Sequence, residues 1–146
     1  MKPTDTQLSE ITLRKYEHPG GLEGRELVRK ICLSIGLLQP LDSRDVIVDI
    51  LYSIILEGQL TSGEIETKVI EIRKEQKLTT LGASTPNIRR QIRRLKDIGL
   101  LEKYQGTYRI REGLTLHDAF TKYVRGELIE NILQRVEQYL REVEKK

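Results

Sequence analysis

Arginine and lysine are concentrated in one short stretch of the chain, residues 84–111, with the sequence STPNIRRQIRRLKDIGLLEKYQGTYRIR. Eight cations there are opposed only by Asp97 and Glu102, a net charge of +6 in a chain whose total is +3, so the remainder sums to −3. The cations are Arg89, Arg90, Arg93, Arg94, Lys96, Lys103, Arg109 and Arg111. A basic unit on a mildly acidic remainder predicts a surface that binds a polyanion.

An amphipathic helix would position most of these cations. Ile88, Ile92 and Leu95 recur at i, i+4 and i+7, which predicts one narrow buried face. At about 100° per residue, the other side of this helix carries Asn87, Arg90, Arg93 and Arg94, with Arg89 on the flank. An ordinary solvated face is the alternative. Such a face usually mixes signs at i, i+4, whereas Arg90 and Arg94 repel each other at that spacing.

The start of this helix is marked by its residue types. Thr85 is predicted to be the N-cap, with Pro86 at the first helical position, where a missing N–H costs nothing. Ser84 and Thr85, together with the exposed N–H groups of the first turn, could also donate to a phosphate oxygen.

A glycine stop and a β-hairpin are predicted after the helix. Gly99 suits a left-handed C-terminal cap. Residues 101–104 and 107–110 flank the dipeptide Gln105–Gly106, which favours a two-residue turn. We therefore expect positive φ angles at Gly99 and Gly106.

The sequence IRRQIRRLKDIGLLEKYQGTYRI resembles the recognition helix and wing of a winged helix-turn-helix domain. The shared pattern is a polar helix start, paired arginines, an apolar stripe, a Gly-Leu-Leu stop and a hairpin with Gly at its tip. The resemblance extends over residues 42–111 and includes GntR-like and PadR-like regulators and small archaeal chromatin proteins with a coiled-coil tail. Two features depart from the pattern: residues 77–83 form a longer connection than the three or four residues of a bacterial helix-turn-helix, and the wing is short.

The resemblance implies a role for each polar residue of the unit. The helix from Pro86 would enter the major groove of double-stranded DNA, and the 101–111 hairpin would lie on the backbone. Asn87, Arg90 and Arg94 would then point at base edges or phosphates, and Arg89 and Arg93 would hold the backbone. The implied backbone contacts of the hairpin are Lys103, Arg109 and Arg111.

Three further helices are predicted upstream. Residues 24–38 carry a wide apolar stripe, and residues 42–56 form a second helix capped by Asp42 or Ser43. The third begins at Thr61 with a capping box to Glu64. Cations near the end of this third helix are second-rank candidates for backbone contacts: Lys68, Arg73, Lys74 and Lys77.

A long C-terminal helix is predicted for residues 113–146, from a start at Thr115 to about Val143, roughly 30 residues and some 45 Å. Its second half carries a 3-4-3-4 apolar spacing, which is typical of a coiled-coil seam and predicts a dimerisation helix. The predicted dimerisation residues are Phe120, Ile129, Ile132, Leu133, Val136, Tyr139, Leu140 and Val143. Packing of this helix on its own domain is the alternative, and Gly126 within it could mark a bend or a close crossing.

The N-terminal residues 1–23 are predicted to be a flexible arm or a single strand. Residues 11–16 could form that strand and pair with the wing or with a partner chain. Alternatively, the arm contacts DNA through Arg14 and Lys15, or simply covers the core.

Composition excludes several other classes of protein. The sequence contains no run of 18 apolar residues, so no transmembrane helix is predicted. The polar N-terminus lacks the apolar segment of a signal peptide. Cys32 is the only cysteine, so an intrachain disulfide is impossible and a reducing cytoplasm is expected.

No motif for catalysis or metal binding is recognisable. The glycines fit neither a phosphate loop nor a dinucleotide fingerprint. His18 and His117 have no neighbouring His or Cys in sequence, which argues against a metal site. We therefore expect no enzyme activity, no cofactor and no metal, and the sequence specifies no small-molecule effector.

Taken together, the sequence predicts a mainly α protein with a small β-hairpin wing. Its winged helix-turn-helix core (42–112) carries an extra N-terminal helix (24–41) and the C-terminal helix. The expected function is that of a cytoplasmic, homodimeric protein that binds double-stranded DNA and regulates transcription. The alternatives are a winged-helix subunit that binds proteins in a transcription or other assembly, an architectural chromatin protein, and an RNA-binding protein using Tyr104 and Tyr108 of the hairpin.

Overall fold

Helices make up most of the chain in this structure, a computed structural model that describes residues 2–145. The first elements are α1 (Gly24–Ser34), α2 (Val46–Glu57), β1 (Gln59–Leu60), α3 (Ser62–Glu75), α4 (Thr85–Ile98), β2 (Leu101–Tyr104) and β3 (Thr107–Ile110). A 3-10 turn (Arg111–Gly113) then leads into a continuous C-terminal helix. It consists of α5 (Leu116–Ala119), a π-helical segment (Phe120–Ile129) and α6 (Glu130–Glu144).

The core is built around α2, because nearly every face of this helix is covered. Val46, Val48, Ile50 and Leu51 are almost completely buried. Helices α1, α3 and α4 and the sheet all pack against it. The predicted apolar triplet of α4 is buried as expected: Ile88, Ile92 and Leu95.

A three-stranded antiparallel sheet lies beside these helices in the order β1-β3-β2. The predicted hairpin is confirmed, and Gln105 and Gly106 both have positive φ in its turn. Strand β1 was not predicted. It follows the α2 stop at Gly58 and pairs Leu60 with Tyr108 of β3.

A buried ionic network joins the first three helices. Asp49 accepts from Arg25 Nε at 2.6 Å and lies 2.7 Å from Nη1 of Arg73. Asp45 lies within 3.0 Å of nitrogens of Arg25, Arg29 and Arg73. Among residues 2–145, every buried side-chain nitrogen and oxygen has a hydrogen-bond partner, as a stable buried network requires.

Arg73 also fixes the long connection that precedes α4. Its guanidinium donates to the carbonyls of Thr79 and, at 2.9 Å, Ser43. This contradicts the interpretation of Arg73 as a second-rank cation for the DNA backbone, because its side chain has no exposed surface. Arg73 therefore holds the connection to α2 and α3, although the sequence alone predicted an exposed side chain at this position.

The N-terminal arm also differs from its prediction. Residues 11–16 belong to no helix or strand, and within the described part of the arm they pair with no strand. Arg14 instead binds the end of α1, with its N–H donating to Ser34 and its guanidinium to Leu33 and Leu38 carbonyls. These bonds satisfy carbonyls that the end of a helix leaves without partners, so Arg14 is occupied inside the chain.

The helix boundaries shift for identifiable reasons. Helix α1 ends at Ser34 rather than at residue 38, because Gly36 has a φ of 75° and lies against the backbone of Thr12. Helix α2 begins at Val46 rather than at residue 42, after a turn in which Asp42 Oδ1 accepts from Arg44 N–H. The capping box of α3 is confirmed, with Thr61 N–H donating to Glu64 Oε1 at 2.8 Å.

None of the helices within residues 2–145 has the length and apolarity needed to span a lipid bilayer. No group of three or more His, Cys, Asp or Glu side chains is arranged to hold a metal ion within the same residues.

Candidate nucleic-acid interface

Helix α4 begins one residue earlier than predicted. Ser84, not Thr85, is the N-cap, and its Oγ accepts from Asn87 N–H at 3.4 Å. Thr85 and Pro86 are therefore the first two helical residues, and both are exposed. Pro86 has no N–H and Asn87 N–H is capped by Ser84, so the exposed first turn offers an anion the N–H of Thr85 and the hydroxyls of Ser84 and Thr85.

At its other end, α4 is closed by the predicted glycine. Gly99 has a φ of 102°, and Leu100 N–H donates to the Leu95 carbonyl at 3.1 Å. Gly99 also touches the C-terminal helix, since a Cβ built on it would lie 2.9 Å from Cβ of Tyr123. The glycine thus ends the helix and lets the C-terminal helix approach closely.

The four arginines of α4 are exposed and form no ion pairs. Within the described chain, none of them has a carboxylate oxygen within 4.0 Å, unlike the arginines of the ionic network. The four are Arg89, Arg90, Arg93 and Arg94. Helix α6 provides the contrast, because its charges pair along the helix, as Arg141 does with Glu137. A row of cations without such partners fits a surface that an external anion neutralises.

A hydrogen-bonded row of side chains organises the outer face of α4. Asn87 Nδ2 donates to the Gly82 carbonyl at 2.6 Å, while Asn87 Oδ1 accepts from Arg90 Nη2 at 2.6 Å. Gln91 donates to the same oxygen at 3.1 Å and accepts from Arg94 at 2.8 Å. The predicted base-reading residues Asn87, Arg90 and Arg94 are therefore brought together and restrained by one another, and Gln91 joins them.

The three cations of the hairpin differ in how far they are already engaged by other side chains of the same chain. Lys103 is exposed on β2, and its Nζ lies 6.0 Å from the centre of the Tyr108 ring. Arg109 donates to Glu102 at 2.8 Å and lies over the Tyr104 ring at 3.6 Å. Burial alone would raise the pKa of Glu102, but the hydrogen bond from Arg109 holds it below its ordinary value.

The third hairpin cation is also engaged within the chain. Arg111 lies over the Tyr123 ring of the C-terminal helix at 3.6 Å. Of the three cations predicted for backbone contacts, Lys103 is the least engaged within residues 2–145, since it has no carboxylate partner there and its ring contact is the longest of the three. Sequence reasoning treated the three alike because it did not pair the strands residue by residue, although the turn at 105–106 places Glu102 opposite Arg109.

One cation beside α4 was missed. Arg44, in the turn before α2, is exposed and lies against Gly82 at the N-terminal side of α4. It lines a small crevice with Gln91 and Arg94. The sequence placed Arg44 in the helix predicted from residue 42, whereas α2 begins at Val46 and leaves Arg44 in the preceding turn.

The remaining second-rank cations are on α3 and just after it. Lys68 pairs with Glu57 at 3.2 Å, and its pKa is raised, chiefly by that hydrogen bond. Lys74 and Lys77 are exposed, and Lys77 has a positive φ of 55°.

The residues predicted for dimerisation divide into two groups. Phe120 and Ile129 pack on the core of their own chain, as the packing alternative predicted for the whole helix, and Ile132 is half-buried. The others are exposed, and no side chain of α6 is buried: Leu133, Val136, Tyr139, Leu140 and Val143. The apolar stripe therefore continues beyond the body of the chain without a covering surface among the described residues.

Comparison of the chain with protein-family models, with curated proteins and with solved structures gave no match.

Proposed function

We propose that this chain is a homodimeric winged helix-turn-helix protein that binds double-stranded DNA and regulates transcription. Helix α4 would lie in the major groove, and the hairpin β2–β3 would lie on the backbone. The observation that carries the proposal is the outer face of α4, where four exposed arginines have no carboxylate partner within the described chain. In a cytoplasm such a protein keeps its one thiol, the buried Cys32, reduced.

The order of the elements supports the proposal. Helices α2, α3 and α4 are followed by a β-hairpin, the arrangement that the resemblance of the sequence implies. The buried triplet Ile88, Ile92 and Leu95 fixes the rotation of α4, so its arginines point away from the core. A helix that presents a polar face in this way is suited to the width of the major groove.

The restrained row on α4 suggests how the interactions with DNA would be divided. Arg90 and Arg94 would contact base edges or phosphates, and an arginine that binds guanine bidentately would contribute about 1–3 kcal/mol of discrimination. Arg89, on the flank, and Arg93 would hold phosphates, together with Arg44 and Lys103. Asn87 would keep Arg90 in place while its own amide stays bound to Gly82.

The direct test is a double replacement, Arg90→Ala with Arg94→Ala, in mobility-shift titrations with mixed-sequence duplex DNA at two salt concentrations. Binding should weaken at least tenfold, and the dependence of log K on log salt should flatten by about 0.9 for each phosphate that is no longer neutralised. The matched control is Arg135→Ala with Arg141→Ala, which removes the same charge from α6 and should leave both quantities nearly unchanged.

Titrations with single-stranded DNA and RNA complete this test. Unchanged affinity for duplex DNA in the α4 variant would contradict the proposed interface. Tighter binding of single-stranded RNA would favour the RNA alternative, and no binding of any nucleic acid would favour the protein-binding alternative.

The dimer is tested by truncation, and the structure identifies where to cut. Removal of everything after Arg111 would delete Ala119 and Val124 from the core, so loss of dimers would be ambiguous. A chain ending at Asn131 keeps those residues and removes the exposed apolar stripe. It should be folded by circular dichroism and monomeric by light scattering, and a truncated chain that remains dimeric would contradict the assignment of α6.

A further inference from the structure

An apolar groove of about 600 Å³ runs between the N-terminal arm, α1 and the start of the C-terminal helix. Leu27 and Ile31 of α1 form one wall, and Leu116 and Phe120 form the other. Tyr16 of the arm closes one side, with Lys30 held over its ring at 4.6 Å. No element of the described chain fills this groove.

A second apolar surface lies on α6. Leu133, Tyr139 and Val143 are 51%, 70% and 69% exposed, and they share one face of the helix. This face continues the face on which Phe120 and Ile129 pack against the core. Large aliphatic and aromatic side chains exposed as a continuous stripe mark an interaction surface.

The C-terminal helix contributes to both surfaces, which lie at its opposite ends. Leu116 and Phe120 form the groove at the beginning, and the stripe reaches Val143 near the end. A two-fold axis makes contacts reciprocal, so one antiparallel arrangement covers two grooves and two stripes together. A parallel arrangement would pair stripe with stripe and leave both grooves open.

We propose that the two copies of the dimer associate with their C-terminal helices antiparallel, so that the end of α6 from each copy occupies the apolar groove of the other. Tyr139, Leu140 and Val143 of one copy would lie beside Leu116, Phe120 and Ile31 of its partner. The dimer is then held by exchange of α6 rather than by a parallel coiled coil. This inference rests on the dimer in the proposed function and adds its orientation and its contact surface.

Gly126 is consistent with this arrangement. The alignment that sets Val143 beside Leu116 places the two-fold axis near Ile129 and brings Leu133 level with Gly126 of the other copy. Gly126 is exposed, and a Cβ added there would meet only the Thr121 carbonyl of its own helix. A residue without a side chain lets two helices approach closely, which compensates for its cost of about 1 kcal/mol inside a helix.

Cross-linking with a short bis-maleimide tests the orientation in the full-length protein. His117 lines the groove and is 89% exposed, so cysteine at this position should not disturb the fold. The variants are His117→Cys, Val143→Cys, the combination of both, and Lys103→Cys combined with Val143→Cys as the control pair. The natural Cys32 is buried, and burial raises its pKa to about 12, so it should not react in the folded protein.

The antiparallel exchange predicts that the His117→Cys/Val143→Cys chain becomes mostly covalent dimer, while both single variants and the control pair remain uncross-linked. Cross-linking of Val143→Cys alone would show parallel helices and overturn the proposal. If light scattering shows a dimer but no variant is cross-linked, the proposed groove contact is wrong and the proposed dimer still holds. A monomer would overturn the exchange and the dimer together, while the DNA-binding half of the proposed function would still be tested by the α4 variant.

Discussion

Nη1 of Arg73 lies 2.7 Å from Oδ2 of Asp49, and neither side chain has any exposed surface. The pair joins the end of α3 to the first turn of α2. Because Arg73 also donates to the Thr79 carbonyl, the same guanidinium holds the connection that sets the start of α4. The orientation of the proposed recognition helix therefore depends on a buried charge more than ten residues before it.

Replacement of Arg73 should be strongly destabilising. Arg73→Met leaves Asp45 and Asp49 with fewer cations and leaves the Thr79 carbonyl without its donor, and breaking a buried pair in this way costs about 3–5 kcal/mol. The measurement is urea unfolding followed by circular dichroism. The control is Lys74→Met, the exposed neighbour on the same helix, which should change the free energy of unfolding by less than about 0.5 kcal/mol. Equal effects of the two replacements would show that Arg73 is not buried as described.

The same network predicts sensitivity to acid. Burial alone would raise the pKa of Asp45, but the hydrogen bond from Arg73 and the charges of Arg25 and Arg29 bring it below the ordinary value of 3.8. A carboxylate whose pKa is lower in the folded state contributes stability above its unfolded pKa, and this contribution is lost as the pH falls through the folded pKa. The free energy of unfolding should therefore decrease as the pH falls below 3.8.

The variant Asp45→Asn isolates this contribution. It should be less stable than the natural chain at neutral pH, because three arginines are deprived of a charged partner. Its stability should also change less between neutral pH and acid, since the titrating group is absent. Denaturant unfolding at a series of pH values measures both effects, and parallel pH curves for the two proteins would exclude Asp45 as the source.

The sequence predicted the features that depend on spacing within one helix, and it missed those that depend on contacts between helices. The triplet Ile88, Ile92 and Leu95 and the capping box at Thr61 are set by spacing within one helix, and both predictions are confirmed. Arg73 lies among exposed lysines in the sequence, so nothing local distinguishes it. Its burial depends on aspartates that another helix brings to it.

Long-range pairing also explains the other misses. Strand β1 has only two residues, too few for an alternating pattern, and exists because β3 supplies its partner. The arm was expected to include a strand, but Arg14 binds carbonyls at the end of α1 instead. The turn after α1 that presents Arg44 is likewise defined by packing and not by periodicity.

The hairpin carries one cation without a carboxylate partner in the described chain, Lys103, and one that is paired with Glu102, Arg109. Lys103→Ala should weaken binding of duplex DNA and reduce the salt dependence of log K by about 0.9, with an unchanged melting temperature, because Lys103 has no carboxylate partner within residues 2–145. Arg109→Ala should instead lower stability by about 1 kcal/mol, because it removes the interactions with Glu102 and Tyr104, and should alter the salt slope little. Salt-dependent titrations and thermal melts of both variants measure this. A larger change of slope for Arg109 would assign the phosphate contact to it.

The glycine that ends α4 and the glycine in the hairpin turn should respond differently to alanine. Both have positive φ, 102° at Gly99 and 79° at Gly106, so alanine at either position carries backbone strain of about 1–2 kcal/mol. Gly106 is open to solvent, and strain should be its whole cost. A Cβ at Gly99 would lie 2.9 Å from Cβ of Tyr123, so Gly99→Ala should be clearly more destabilising.

Displacement of Tyr123 gives Gly99→Ala a second consequence. Arg111 lies over that ring at 3.6 Å, so movement of Tyr123 would separate the hairpin end from the C-terminal helix. Equilibrium unfolding should rank the natural chain above Gly106→Ala and Gly106→Ala above Gly99→Ala, with DNA affinity retained by the Gly106 variant. Equal stabilities of the two variants would mean that the C-terminal helix does not press on Gly99. The close contact between the end of α4 and the C-terminal helix would then contribute nothing to stability.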